Sequence, residues 1–281
     1  MGAHPYTLLD VFTATPLAGN PLAVVHDAEG LGEATMLAFA RETRLSETTF
    51  VQSATAAQAD YRLRIFTVGG ELPFAGHPSL GSAVAVARRR GERSARYVQE
   101  TAAGLQAVEV LLDGDRARAS MLQEPAAFGP AVTAGDALAA AGLRERDAHR
   151  ELPPQVVSTG LPNLIVPVSD VAFLGRARGD ADALAALLAP LSATVLYLVA
   201  ADVERGRARA RGFFHAGEDP ATGSAAGPLC AYLHARRGVS RLVVDQGVEM
   251  GRPSRIEAAV EGDRVRVGGD AVLLVEGTLR L

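Results

Sequence analysis

The feature that most constrains this chain is an internal echo. Residues 64–91 (RIFTVGGELPFAGHPSLGSAVAVARRRG) return as residues 211–238 (RGFFHAGEDPATGSAAGPLCAYLHARRG) at one constant offset, without a gap. Arg64 matches Arg211, Phe66 matches Phe213, Gly70 matches Gly217, Glu71 matches Glu218, Pro73 matches Pro220 and Gly76 matches Gly223. The spacing is too long for a solenoid unit and predicts a duplicated domain. At 281 residues there is room for two domains, each with its own core. The boundaries expected are 1–125 and 126–269, with the last strand, about 270–281, joining the first domain. The stretch from Glu124 to Ala134, with Pro125, Gly129 and Pro130, reads as a linker.

Helices are expected over Glu33–Thr43, His77–Arg90, Ala181–Leu188 and Ser224–Arg236, among alternating strand candidates. Two of these helices are unusual. LGSAVAVA, from Leu80 to Ala87, has no charge on any face, and Ala225–Leu233 is similar. A helix apolar all round is buried, so each repeat should wrap its strands around its own helix. Pro228 is assigned to the first turn, where its missing N–H costs nothing. The expected fold is α+β, with two pseudo-symmetric domains, each a curled sheet or barrel around a central helix.

Composition excludes several functions. The net charge of −4 argues against nucleic acid, which needs a concentrated basic surface. The chain has no lysine, so no Schiff base can form on one. Cys230 is alone, and no Cys/His cluster has zinc spacing, so neither a metal nor an organic cofactor is expected. The start, MGAHPYTLLDVF, lacks the regions of a signal peptide, and no apolar stretch could span a bilayer. A cytoplasmic location without membrane partners is expected.

The chemistry should lie at the loops that open the central helices. GGELPFAGHPSLG brings Gly69, Gly70 and Gly76, and GEDPATGSAAG brings Gly217, Thr222, Gly223 and Gly227. Small residues before a helix let backbone N–H groups and the helix dipole hold an anion such as a carboxylate. The copies differ where polarity matters: His77 stands against Ser224, and Asp219 against Leu72. His77 could instead cap its helix or be a satisfied core histidine, and Asp219 could cap the helix after it. Glu71 and Glu218 occur in both copies, which suggests a structural role. Glu47 sits at a strand entrance, where a carboxylate is usually just solvated. Asn20 reads as a turn residue, with site lining as the alternative. Arg205, Arg207, Arg209 and Arg211 alternate along a strand and read as one solvated face.

LDVFTATPLAGNPLAVV, LSETTFV, RIFTVGGELPFAGHPSLG, EDPATGSAAGPL and QGVEMGRPS together resemble the PhzF (phenazine-biosynthesis) family, in order and over nearly the whole chain. The resemblance implies a diaminopimelate epimerase-like fold, a homodimer and a cofactor-independent isomerase that moves a proton on a small carboxylate-bearing substrate. It places the acid/base on Glu47 and the assisting groups on His77, Asp219 and Ser224. Asn20, Gly69, Gly70, Gly76, Thr222 and Gly223 would then bind substrate. Related racemases use a cysteine at each loop; here those positions hold none, which removes a two-thiol mechanism. An epimerase or lyase acting on another small acid, and a non-catalytic carboxylate binder, are the alternatives.

Overall fold

The computed structural model describes residues 2–215 and 217–281. The chain forms two compact units, one of residues 1–121 and 268–281, the other of residues 122–267. The first half runs β1 (Ala3–Val11), β2 (Asn20–Val25), α1 (Glu33–Thr43), β3 (Glu47–Gln52), β4 (Tyr61–Phe66), β5 (Glu71–Leu72), α2 (Gly76–Arg90), β6 (Ser94–Thr101), β7 (Gly104–Asp113) and β8 (Arg116–Leu122). There follow β9 (Ala127–Ala131), α3 (Ala134–Ala139), β10 (Gln155–Ser158), β11 (Pro162–Pro167), α4 (Ala172–Arg176) and α5 (Ala181–Leu188). The chain ends with β12 (Val195–Asp202), β13 (Arg207–Phe214), β14 (Gly217–Asp219), α6 (Gly223–Arg237), β15 (Arg241–Gln246), β16 (Ser254–Glu261) and β17 (Arg264–Arg280).

In the first unit the sheet runs β1-β2-β3-β4-β6-β7-β8, and β17 pairs with both β8 and β1, which closes the ring. β2 and β3 are parallel and joined through α1; β4 and β6 are parallel and joined through α2. A parallel pair needs such a crossover. The second unit repeats the scheme: β11 and β12 are parallel across α4 and α5, and β13 and β15 are parallel across α6. The duplication read in the sequence is thus a duplication of topology.

The apolar helices lie inside. Every residue of α2 from Gly76 to Ala87 is buried, and charge begins only at Arg88. Its small residues let the strands close in: a Cβ on Gly81 would stand 2.6 Å from Leu22 Cδ2 and 2.8 Å from Val11 Cγ2. A second layer covers the outside. In the first unit Met36 and Ala40 of α1 pack on Val25, Phe50 and Phe66. In the second, Leu138, Leu174 and Leu184 pack on Leu164, Val166, Leu196 and Leu198. Strands covered on both faces read as unbroken apolar runs, as in LAVV of β2 and VLYLV of β12. No helix among the described residues is long and apolar enough to cross a membrane.

Three expectations need correction. The stretch read as a linker contains β9, which pairs with β10; Gly129 and Pro130 fall where the register jumps, a bulge that spares proline a ladder bond. Pro228 lies inside α6, beyond its first turn. The carbonyl its ring strips of a helical partner, that of Ser224, accepts instead from Asn163 Nδ2 at 2.8 Å. Arg211 is not solvated with its neighbours. It is 5% exposed, donates Nη1 to the carbonyls of Leu174 and Ala177, and grips Glu218 through Nε and Nη2 at 2.8 and 2.6 Å. Arg64 grips Glu71 in the same way. Both echoed glutamates therefore tie a short strand to its neighbour.

Candidate active site

In the first unit, three sequence-predicted residues meet. Asn20 opens β2, Glu47 opens β3 and His77 is the second residue of α2. Gly19 makes the approach possible: its φ is +66°, and a Cβ there would lie 2.4 Å from the Val11 carbonyl oxygen. Asn20 is no turn residue but wholly buried, and its Nδ2 donates to His77 Nδ1 at 3.1 Å. Since Nδ1 accepts, the ring proton belongs on Nε2. That atom faces Glu47 Oε2 at 3.3 Å, without the alignment of a formed hydrogen bond.

Burial pushes the His77 pKa down to about 3. The ring is therefore neutral at ordinary pH, and the contact with Glu47 is not an ion pair. His77 does not cap its helix either, because the N-cap of α2 is Ala75 and no side chain bonds there. Glu47 keeps some exposure, 16% of its side chain. A carboxylate that reaches solvent on one side and an N–H on the other can exchange a proton with a bound molecule.

The glycines of the first loop divide. Gly69 and Gly70 form the turn between β4 and β5, and their N–H groups point to Thr67 Oγ1 at 3.1 and 3.3 Å. Gly76 and His77 begin α2, and the leading N–H groups of a helix have no partner within it. Gly76 is therefore better placed than Gly69 or Gly70 to meet an anion.

In the second unit, Asp219 ends β14 and Thr222 is the N-cap of α6, followed by Gly223 and Ser224. The N-cap position of α6 falls to Thr222, three residues after Asp219. Asp219 Oδ2 accepts from Thr222 Oγ1 at 2.8 Å, so Thr222 turns its hydroxyl away from the helix. Ser224 is half-buried at the second helical position, matching His77. Gln246, at the end of β15, organises this loop from beneath. It is 0% exposed; its Oε1 accepts from the Thr222 N–H (3.1 Å) and Tyr197 OH (2.9 Å). Its Nε2 donates to the Asp219 carbonyl (2.7 Å) and to Thr222 Oγ1 (2.9 Å). In the sequence Gln246 appears only as the first residue of QGVEMGRPS, without a role of its own, although a further signal exists. The alternation of β15 buries Leu242, Val244 and Gln246, placing an amide where an apolar side chain is due.

Cys230 lies within α6, wholly buried, and burial pushes its thiol up to about 12. Such a thiol is a packing group, not a nucleophile. Among the described residues, no group of His, Cys, Asp and Glu is arranged to hold a metal ion.

Comparison with known proteins adds the following. The family model described as phenazine biosynthesis-like protein (PhzC-PhzF) matches residues 9–277. The trans-2,3-dihydro-3-hydroxyanthranilate isomerase of Pseudomonas aeruginosa is 36% identical over 285 residues, covering 98% of each chain. A solved structure titled a predicted epimerase from the same organism aligns with a TM-score of 0.88 at 39% identity over 99% of both chains. A hydroxyproline epimerase from Agrobacterium vitis aligns at 0.66 with 15% identity, covering 99% of this chain and 92% of its own, a likeness that speaks for the fold alone.

Proposed function

The chain belongs to the PhzF family of isomerases, and on that premise we propose that Glu47 is its acid/base, moving a proton on a small cyclic carboxylate such as trans-2,3-dihydro-3-hydroxyanthranilate. The observation that carries the reading is the buried, neutral His77, whose Nε2 stands 3.3 Å from Glu47 Oε2 while Asn20 fixes the other ring nitrogen.

The steps balance without an outside reagent. Glu47, as carboxylate, takes a proton from a carbon next to the conjugated system. The electron pair left behind spreads over that system. Glu47, now a carboxylic acid, returns the proton to a different carbon, and product and substrate have one composition. In this reading the Nε2–H of His77, 3.3 Å from Oε2, closes onto the carboxylate once substrate is bound, and a partly dry pocket favours a carboxyl that can act each way. In each unit taken by itself, the backbone N–H groups that open the central helix, those of Gly76 and His77 or those of Gly223 and Ser224, suit a carboxylate or a developing negative charge. Asp219 and Ser224 assist in this reading as substrate-positioning or proton-relaying groups.

The test is exchange with solvent. In deuterated buffer the protein should introduce deuterium into trans-2,3-dihydro-3-hydroxyanthranilate and its product, and Glu47→Gln should slow this by about 100-fold or more, the scale of lost general acid–base catalysis. Normal wash-in by Glu47→Gln would overturn the assignment. Tight binding with no wash-in by the unmodified protein would mean a binder instead.

A further inference from the structure

The orientation of the Gln246 amide is fixed by two backbone groups. The Thr222 N–H can only donate, so the atom facing it is Oε1; the Asp219 carbonyl can only accept, so the atom facing it is Nε2. That orientation decides the next bond. Nε2 donates into the Thr222 hydroxyl, which directs the one proton of that hydroxyl at Asp219 Oδ2. With the amide fixed in this way, Tyr197 OH is left to donate to Oε1. The result is a chain of one sense, Tyr197 to Gln246 to Thr222 to Asp219, and all its joints lie at 2.7–3.1 Å.

The other copy shows that the scaffold does not need this chain. At the repeat offset Gln99 stands for Gln246 and is equally buried, 0% exposed. Its Nε2 donates to the Ser79 carbonyl of α2. Ala75 occupies the place of Thr222 and Leu72 that of Asp219. Both copies fold around their helix with a glutamine at this point. Only the copy that carries an acid also carries the hydroxyl leading to it.

We propose that Gln246 is a positioning residue, acting through Thr222 to hold the Asp219 carboxylate in one rotamer with Oδ2 engaged and the carboxylate presented for reaction. The proposal rests on the reading of Asp219 as a working group. Its test is a double-mutant cycle on turnover of trans-2,3-dihydro-3-hydroxyanthranilate, using Asp219→Asn, Gln246→Leu and their combination. Each single change should lower kcat by about 100-fold with KM moving far less, the loss expected from misplacing a reacting group. The double variant should be no slower than Asp219→Asn alone, because Gln246 then has nothing to position.

Losses that multiply in the double variant would overturn the proposal and assign Gln246 a general structural role. A silent Asp219→Asn would overturn both this and the wider reading of Asp219, whereas normal exchange by Glu47→Gln would overturn only the acid/base assignment. Should Gln246→Leu fail to fold, Thr222→Val and Thr222→Ser replace it. Valine should lose activity, and serine, which keeps the hydroxyl, should restore it to within about twofold; equal activity in the two would also overturn the proposal.

Discussion

His77 shows how much one ring can be asked to do when water is kept from it. In the unfolded chain a histidine titrates at 6.5; in the fold burial lowers His77 to about 3, and His26 to about 4 through burial first and the nearby Arg89 second. Both are neutral in the fold at pH values where the unfolded chain takes up a proton, so the unfolded state gains as pH falls. Stability is present in full above 6.5 and declines as pH drops towards each lowered value, at about 1.4 kcal/mol per pH unit per histidine. Replacing His77 by Asn should flatten that slope by one such increment, read from urea unfolding across a pH series; an unchanged slope would mean that His77 titrates normally. Nothing local in the sequence announces this neutral state. Its motif leaves His77 open to capping, core or catalytic roles, and only Asn20, distant in the chain but adjacent in the barrel, decides where the ring proton sits. Glu47 likewise has the local sequence of an ordinary strand-entrance carboxylate, and only the resemblance of LSETTFV to a family motif sets it apart.

Among the elements, the central helices were the most legible, because a charge-free segment of that length has one place to go. What could not be read was how a proline is housed inside one of them. Pro228 removes a donor, and the orphaned Ser224 carbonyl is met by Asn163, itself 0% exposed and reaching across from β11. That solution links residues far apart in sequence, so no local pattern announces it. Asn163→Leu should therefore cost about 1–3 kcal/mol, the range for a buried group left without its bond. Adding Pro228→Ala should recover part of the loss by returning an N–H to the same carbonyl. Chemical denaturation of the two variants checks this; a Pro228→Ala change that recovers nothing would show that the Asn163 contact carries no such compensation. The strand at Ala127–Ala131 was hidden for a related reason, since Gly129 and Pro130 mark a bulge as readily as a linker.

At the scale of the whole molecule the internal echo made the architecture legible, for a segment repeated with its glycines, arginines and glutamates can only build the same thing twice. The closing strand is the part that repetition alone does not dictate. Residues 268–281 belong to the first unit, where β17 pairs with β1 from Val11↔Ala271 to Ala3↔Arg280. Deleting them should open the ring: β1 amides should lose their protection from hydrogen exchange while those of β12 and β13 keep theirs. Protection of β1 that survives the deletion would mean the ring closes without its last strand. The same strand sets an order of events during synthesis. A chain emerging from its N-terminus ordinarily completes its first domain first. Here residues 122–267 are all available before the first unit can be finished, and β1 and β8 must wait with bare edges of the kind that invite mispairing. The unit begun first is the last to be completed, and its two open edges stay exposed to mispairing until β17 has been made.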